Sequence, residues 1–360
     1  MHKRNRVRVL AVVVAMLALI SNGGGTAAAT ANAASDMLAH LPPSDAVLYV
    51  NVNRLIEDVA PRLFAEDAAT LASLNRELDN IKKETGFDPR FIDAIAVGMS
   101  FDANTPKNSK AVVVVRGRFD AAEVLANANA RLKPKDKLKT QVYNNRTMYV
   151  GATPNQNIAV APLDASAFVS GDPQTVREAI DCNGSAAGCA ENSLKTLAAS
   201  NKDAFLGYAG NNRAVAPLGA MLLGINSDWS KLALSVQEFN GSISAPGNAA
   251  DLFLSMRTES SEQAYKIAGV FDFMKAINES PAEMGASRPG LIPLADGFGE
   301  LLLLFKGLNV TAQGNEAQFR LEMPFARILK VMRPRSNHPA TLPPAPKPPP
   351  PPAPRRSPAH

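Results

Sequence analysis

One strand-like design occurs twice in this sequence and constrains its fold more than any other feature. Residues 46–54 (AVLYVNVNR) and residues 204–213 (AFLGYAGNNR) each begin as an apolar strand, pass through a small polar step and end in Asn-Arg. Ala-Pro follows each copy, at Ala60-Pro61 and at Ala216-Pro217. A run that is apolar on both faces is typical of a strand inside a sheet. We therefore expect these two strands to organise the fold.

The elements that follow the two copies occur in a similar order. Capping-box patterns open a helix at Asp120 and again at Ser260, each after an apolar strand. We expect an α+β fold of two tandem repeats, each a mostly antiparallel sheet with helices packed on one face, the sheets side by side or fused edge to edge. The expected divisions are a signal peptide (1–34), repeat 1 (41–182), a disulfide-containing linker (183–200), repeat 2 (201–332) and a disordered tail (333–360).

Turn and cap residues predict several local structures. Leucines recur at helical spacing over residues 66–85, and Gly86 stands where a left-handed cap belongs. Asn144-Asn145 and Gly314-Asn315 predict the tight turns of two hairpins. A strand over residues 232–239 is expected to precede a turn with Asn240-Gly241 and Pro246-Gly247.

The first residues predict export. A positive stretch, the apolar run 9–20 and the A-x-A pattern of Ala31-Asn32-Ala33 are typical of a signal peptide. The apolar run is too short to span a bilayer, which takes roughly 20 residues. Cleavage near Ala28 or Ala29 and an uncleaved membrane anchor are the alternatives. The expected location is therefore periplasmic or secreted, or anchored at the inner membrane by this segment.

The charge distribution does not predict a nucleic-acid partner. The formal net charge is +5, but residues 1–34 and 333–360 are basic and contain no acidic residue, which leaves the middle of the chain acidic. Twelve of the 27 prolines lie in 333–360, so this tail is expected to be extended or disordered. It either is a solvated tail or binds an envelope protein or an anionic envelope polymer.

Two cysteines, Cys182 and Cys189, lie a short loop apart. In an exported chain this spacing predicts a disulfide. The alternative, a redox or metal pair, lacks both the C-x-x-C spacing and a nearby histidine.

The sequence argues against the commonest catalytic chemistries. The four histidines, at positions 2, 40, 338 and 360, all fall outside the predicted fold, so a Ser-His-Asp arrangement would have no base there. No nucleotide-binding, calcium-binding or nucleophile-elbow motif is present, and we expect no metal site and no cofactor. Carboxylates are the remaining candidates for acid–base catalysis. A carboxylate-based hydrolase of envelope polymer is therefore the enzymatic alternative.

The polar steps of the two copies are the candidate ligand-binding residues. Asparagine and arginine at the end of a strand can donate to an anionic or carbonyl-bearing ligand. Alternatively, asparagine caps the following helix and arginine pairs with a nearby carboxylate. The candidates are Asn51, Asn53, Arg54, Asn211, Asn212 and Arg213.

Two apolar stretches, 218–225 and 291–308 with its unbroken run 301–305, raise a further alternative. They could line a cavity that holds a lipid or another apolar ligand, or touch a membrane. A helix that is apolar all round is also typical of an ordinary buried core.

The segment LPPSDAVLYVNV, residues 41–52, resembles the start of uncharacterised exported bacterial proteins, in which a signal peptide leads into an L-P-x-D-A-x-x-Y-x-x-V strand and an α+β region. The resemblance implies an envelope location and adds no activity. We therefore expect an exported, non-enzymatic binding or structural module, with a carboxylate-based hydrolase and an apolar-ligand carrier as alternatives.

Overall fold

The computed structural model describes residues 31–102, 109–152, 157–184, 189, 193–215, 234–279 and 307–332. Its strands form a single antiparallel sheet, with the order β11-β12-β10-β9-β8-β1-β2-β3-β7-β6-β5-β4. The strands are β1 (Ala46–Asn51), β2 (Ile92–Ser100), β3 (Lys110–Gly117), β4 (Lys139–Tyr143), β5 (Arg146–Ala152), β6 (Asn157–Asp164), β7 (Ala167–Gly171), β8 (Ala204–Asn211), β9 (Val236–Ser244), β10 (Ala249–Thr258), β11 (Asn309–Gln313) and β12 (Glu316–Pro324).

The two repeated stretches lie next to each other at the middle of this sheet. Strands β1 and β8 pair antiparallel, with Leu48 opposite Tyr208 and Tyr49 opposite Gly207. Outward from this pair, each half begins with three strands that are consecutive in sequence, and a helix then leads to the outer strands, which are the four-stranded meander β4–β7 in the first half and the hairpin β11–β12 in the second. The α+β class and the antiparallel sheet are thus confirmed, and the two halves share one sheet. The duplication itself stays a prediction.

Helices account for most of the remaining described structure. None of these helices combines the length and the apolar character that a bilayer crossing requires. They are α1 (Ala31–Ala39), α2 (Val52–Arg54), a π-helical turn (Leu55–Val59), α3 (Ala60–Leu63), α4 (Ala68–Thr85), α5 (Ala121–Arg131), α6 (Pro173–Gly184), α7 (Ser193–Ala198), α8 (Ser261–Glu279) and α9 (Phe325–Met332), with 3-10 turns at Pro89–Phe91 and Pro134–Asp136.

The helices cover both faces of the first half of the sheet, which differs from the expected single helical face. Val47 and Tyr49 pack with α1, α6 and α7 in one core cluster. Their neighbours Leu48 and Val50 point to the opposite face, where they pack with the 52–63 helical segment, α4 and α9. Apolar residues on both faces of β1 therefore require cover on both sides. Strands β10 and β12 are covered by the described helices α8 and α9, which both lie on the face of the sheet to which Leu48 and Val50 point.

Helix α1 overlaps the end of the predicted signal peptide and belongs to the core. Met37 and Leu38 are fully buried, and so is Leu41 just beyond the helix. The side chain of Lys195, on α7, donates a hydrogen bond of 2.6 Å to the carbonyl oxygen of Leu41. Burial lowers the pKa of this lysine. The contact joins α1 to α7, while residues 1–30 of the predicted signal peptide lie outside the described residues.

Several predicted turns and caps are confirmed. Gly86 ends α4 in the left-handed region, with φ of 76°. Asn144 and Asn145 form the β4–β5 turn with φ of 46° and 59°, and Gly314 forms the β11–β12 turn with φ of 57°. The Asp120 side chain accepts a hydrogen bond from the backbone N–H of Glu123 and caps α5. These short-range signals act within a few residues, so tertiary contacts do not override them.

The turn predicted over Asn240-Gly241 and Pro246-Gly247 is wrong at the first pair, because β9 continues through it to Ser244. Gly241 lies opposite Tyr208, and a Cβ there would meet the tyrosine ring and the carbonyl oxygen of Phe253. Glycine at this position therefore makes room for a neighbouring strand and does not form a turn. The chain turns at 245–248, which contains the second predicted pair, Pro246-Gly247, with Gly247 at φ of 57°.

Gly207 marks the place where α7 rests on the sheet, since a Cβ there would meet the backbone carbonyl of Ala198. We expect Gly207→Ala to lower the free energy of unfolding by about 2 kcal/mol, because α7 must move off the sheet. A methyl group added at Gly269 in α8 would meet no atom within 4 Å. Gly269→Ala is therefore expected to raise the free energy of unfolding by about 0.5–1 kcal/mol. Urea unfolding checks both, and equal changes of one sign would contradict the close approach at Gly207.

Candidate functional site

The first polar step is used by the fold itself. The Asn51 side chain accepts a hydrogen bond of 2.9 Å from the backbone N–H of Arg54 and caps the helical segment that follows β1. The Arg54 guanidinium lies 3.7 Å from the carboxylate of Asp58, one helical turn on. Asn53 is half-buried and has interactions of its own. These contacts match the structural alternative for this step.

The second polar step makes a different set of contacts. The Asn211 side chain accepts a hydrogen bond of 3.0 Å from the backbone N–H of Arg213 and donates one of 3.1 Å to the Asp45 carboxylate. That carboxylate also accepts from the backbone N–H of Phe101. Asp45 therefore ties together the ends of β8, β1 and β2. Asn212 and Arg213 are exposed at this end.

The two steps do not form one site. Because β1 and β8 run antiparallel, Asn51 and Asn211 lie at opposite ends of the pair. Six residues of strand separate them, or about 20 Å. A ligand that contacted both steps would have to span the sheet, so these six residues carry no shared site.

One histidine does lie in the fold, which corrects the expectation that none does. His40 follows α1, and its Nε2 lies 3.0 Å from the Arg116 guanidinium, which also pairs with Asp164 at 3.2 Å. Burial acts to raise the pKa of the Asp164 carboxyl, but hydrogen bonds from Ser166 and the charges of Arg116 and His40 leave it below its usual value. The anchoring of α1 in the core places His40 here. The cluster joins α1 to the β6–β7 hairpin.

The predicted disulfide is present between Cys182 and Cys189. Cys182 lies in the last turn of α6, so the disulfide tethers the end of that helix to Cys189. The apolar stretches 218–225 and 301–305 and the Pro-rich tail 333–360 lie outside the described residues.

Within the part of the chain that the structure describes, a further candidate site is a cleft between α4 and the 52–63 helical segment. Its volume is about 350 Å³, which falls in the range of small-molecule sites. The chain builds it by turning at 64–67, where the Asp67 side chain caps α4 through a hydrogen bond of 3.1 Å to the N–H of Thr70. The lining side chains are Ile56, Glu57, Pro61, Leu71, Leu74, Asn75, Leu78 and Arg90.

Arg90 holds the cleft together at one end. Its guanidinium lies 2.8 Å from the Asp79 carboxylate and donates a hydrogen bond of 3.2 Å to the carbonyl oxygen of Asn75. Both contacts are on α4, whereas Arg90 belongs to the 3-10 turn that follows that helix. The arginine therefore fixes the position of α4. Glu57 lines the cleft from the other segment and is exposed.

Asp88 fixes the 3-10 turn at the same end of the cleft. Burial acts to raise the pKa of its carboxyl, but the backbone N–H of Arg90, the Lys82 ammonium and the charge of Arg90 outweigh burial and lower it. The Lys82 ammonium lies 3.0 Å from this carboxylate. Asp88 therefore stays ionised and fixes the 3-10 turn that carries Arg90.

Four carboxyl groups, those of Asp88, Asp164, Asp172 and Glu262, have pKa values that are shifted toward the ionised form. Hydrogen bonds from neighbouring groups lower these pKa values, in the aspartates against the effect of burial. A general acid of a glycosidase needs the opposite shift. Within the described ranges, no group of three His, Cys, Asp or Glu residues is placed to hold a metal ion.

The sequence contained part of the signal for this cleft. The spacing of Leu71, Leu74 and Leu78 predicts the apolar face of α4. It does not predict the gap between part of this face and the 52–63 helical segment. That gap depends on the turn at 64–67 and on the contacts of Arg90. An amphipathic helix between an aspartate cap and a glycine cap is an ordinary surface helix by pattern alone.

Comparison with known proteins adds a likeness of shape and no function. No protein-family model and no curated protein sequence matches the chain. Crystal forms III and IV of TP0453 both align with a TM-score of 0.42, at 12% and 11% identity, covering 82% and 84% of this chain and 96% and 98% of theirs. Crystal form I of TP0453 aligns with a TM-score of 0.39 at 10% identity, over 82% of this chain and 95% of that one. We draw no argument from similarity at this level.

Proposed function

We propose that the protein is an exported, non-enzymatic binding module that takes up a small ligand with an apolar body and a polar end. The cleft between α4 and the 52–63 helical segment carries this proposal. Five of its eight lining side chains are apolar, and Glu57, Asn75 and Arg90 supply the polar positions. Burial of an apolar body against such walls gives roughly 25 cal/mol for each Å² removed from water.

The arrangement suits binding better than catalysis. The ionised, hydrogen-bonded carboxylates described above hold secondary structure in place and do not point together at one reacting atom. Arg90 is engaged by Asp79 and Asn75, so it stiffens the wall of the cleft. A stiff, preformed cleft loses little conformational entropy when a ligand binds.

Filling the cleft from one wall tests the proposal. Asn75 is exposed, lies on α4 and lines the cleft. The indole of Asn75→Trp would occupy ligand space without removing a buried side chain. We expect it to weaken the binding of the neutral apolar dye N-phenyl-1-naphthylamine at least tenfold, which corresponds to about 1.4 kcal/mol. Fluorescence titration of the purified protein measures this change.

Asn80→Trp is the matched control, because Asn80 is exposed on the same helix and is not among the residues that line the cleft. It should leave the dye affinity unchanged within a factor of two. If the unmodified protein fails to bind the dye, or if both tryptophan variants weaken binding equally, the cleft is not the binding site.

The natural ligand can be sought directly. Native mass spectrometry of the protein, purified gently from its own periplasmic or secreted fraction, would show a retained ligand as an added mass. The expected adduct is a small molecule that the Asn75→Trp variant retains to a lesser extent than the Asn80→Trp variant. A bare mass for all three proteins, together with no dye binding, would leave only a structural role.

A further inference from the structure

A run of cations lies on the surface between α5 and β4. We call residues 131–139 the lysine strip. All five of its cations are exposed, and it contains a single acidic residue, Asp136. The middle of the chain is acidic, so this concentration of positive charge stands out from the surface around it. The cations are Arg131, Lys133, Lys135, Lys137 and Lys139.

The strip is held in place by the fold. The Asn129 side chain accepts a hydrogen bond of 2.8 Å from the backbone N–H of Leu138 and donates one of 3.2 Å to its carbonyl oxygen. Leu132 and Leu138 are half-buried at the two ends, and Leu138 packs close to Gly151 of β5. With both ends anchored, the lysines between them point to solvent.

The positive surface continues onto α4. The Arg131 guanidinium lies against the backbone of Gly86, just past the C-terminus of that helix. Lys83 is exposed in the last turn of α4. A cation near a helix C-terminus is stabilising by itself, which accounts for Arg131 without a ligand. It does not account for the four lysines of the strip, none of which pairs with a carboxylate in the described part of the chain.

We infer that the lysine strip binds a linear anionic polymer through its phosphate or carboxylate groups. Lysine ammonium groups are compact point charges, which suit a repeating anion read by charge alone. The strip presents no exposed aromatic side chain, and Pro134 is its one exposed apolar residue, whereas stable attachment to a bilayer surface combines charge with a large buried apolar area. Stacking of nucleic-acid bases likewise needs aromatic side chains. This inference does not depend on the cleft.

The dependence of binding on salt tests the inference. Each cation that neutralises a polymer charge releases a counterion, so the logarithm of the binding constant falls with the logarithm of the salt concentration, by about 0.7 per contact for single-stranded nucleic acids. We expect the full protein to bind long-chain inorganic polyphosphate. The triple variant Lys133→Gln, Lys135→Gln, Lys137→Gln should reduce the slope by about 2, measured between about 50 and about 200 mM NaCl.

A triple variant with the same loss of net charge serves as the control. Lys110, Lys202 and Lys330 are exposed and lie outside the strip, so their replacement with glutamine should leave the slope unchanged. The basic tail is identical in all three proteins and cancels in the comparison. Equal slopes for the two triple variants, or binding to anionic phospholipid vesicles without binding to polyphosphate, would overturn the inference. Asn75→Trp should retain full polyphosphate binding, which separates this result from a failure of the cleft.

Discussion

Replacing Leu38 with alanine is expected to lower the free energy of unfolding by about 3–4 kcal/mol. Leu38 is 0% exposed and packs, with Met37 and Leu41, in the same core cluster as Tyr49 and the strands around it. Alanine would leave a cavity between α1 and the sheet that the surrounding structure fills only in part. Urea denaturation measures the loss as a lower transition midpoint at an unchanged slope.

Asp36→Ala provides the control on the same helix, because Asp36 is exposed. It should change the free energy of unfolding by less than about 0.5 kcal/mol. If Leu38→Ala proves as mild as Asp36→Ala, α1 does not dock on the sheet in solution. The result also bears on processing: cleavage after Ala33 removes only the first turn of α1 and leaves Met37 and Leu38 in the mature chain, whereas a cut after Leu38 would remove both core residues.

A second large effect is expected at alkaline pH. Burial raises the pKa of both Tyr49 and Tyr208 to about 12, with a smaller contribution at Tyr49 from the charge of Asp93. In the unfolded chain both phenols titrate near 10. Between these values the folded state binds more protons than the unfolded state, so stability falls as the pH rises. The stabilisation is fully present well below pH 10, and by pH 12 the loss is about 2 kcal/mol per tyrosine.

Urea unfolding of Tyr208→Phe and Tyr265→Phe at a series of pH values checks this expectation. Tyr208→Phe should remove about half of the alkaline loss, whereas Tyr265→Phe, at a side chain that is 60% exposed, should remove none. The comparison uses slopes against pH, because Tyr208→Phe also loses a hydrogen bond of 3.3 Å to the Phe253 carbonyl. Burial lowers the pKa of Lys195, which contributes in the opposite sense and cancels between the variants. Identical slopes for the two variants would contradict the assignment of the alkaline loss of stability to the buried tyrosines.

Sequence patterns predicted the elements whose cause is local. The left-handed cap at Gly86 and the turn at Asn144-Asn145 depend on residues within one turn of the chain, and both form as expected. The pairing of β1 with β8 was not specified by the sequence, although fusion of two sheets at an edge was one of the expected arrangements. An edge-to-edge contact depends on strands far apart in the chain, which periodicity does not reveal.

Three features escaped prediction for identifiable reasons. Helix α1 directly follows a signal-like segment, and that context hid the helical pattern around Met37 and Leu38. Strand β6 contains Pro162, a residue that argues against an inner strand, and the structure accommodates it where the register of β6 against β7 shifts. Gly241 follows an asparagine, as in a tight turn, but its role is to make space for Tyr208.

The candidate sites illustrate the same limit. Asn51 is used to cap the helical segment after β1, and Asn211 is used to join strand ends through Asp45. The cleft depends on the distance between two helices, which sequence spacing does not encode. The lysine strip is visible in the sequence as alternating lysines. Its significance depends on Asn129, which fixes the loop, and on the lack of paired carboxylates around the described lysines.

The position of β1 also governs the order in which the chain can fold. Ala46 pairs with Gly210 at the middle of the sheet, so the two partners are made far apart in time during synthesis. Until residue 211 is available, β1 is an edge strand with unpaired backbone groups and apolar side chains on both faces, a condition that favours aggregation. Contacts of such long sequence separation also slow folding. The newly made first half of this protein therefore depends on the second half, or on a chaperone, to cover its central strand.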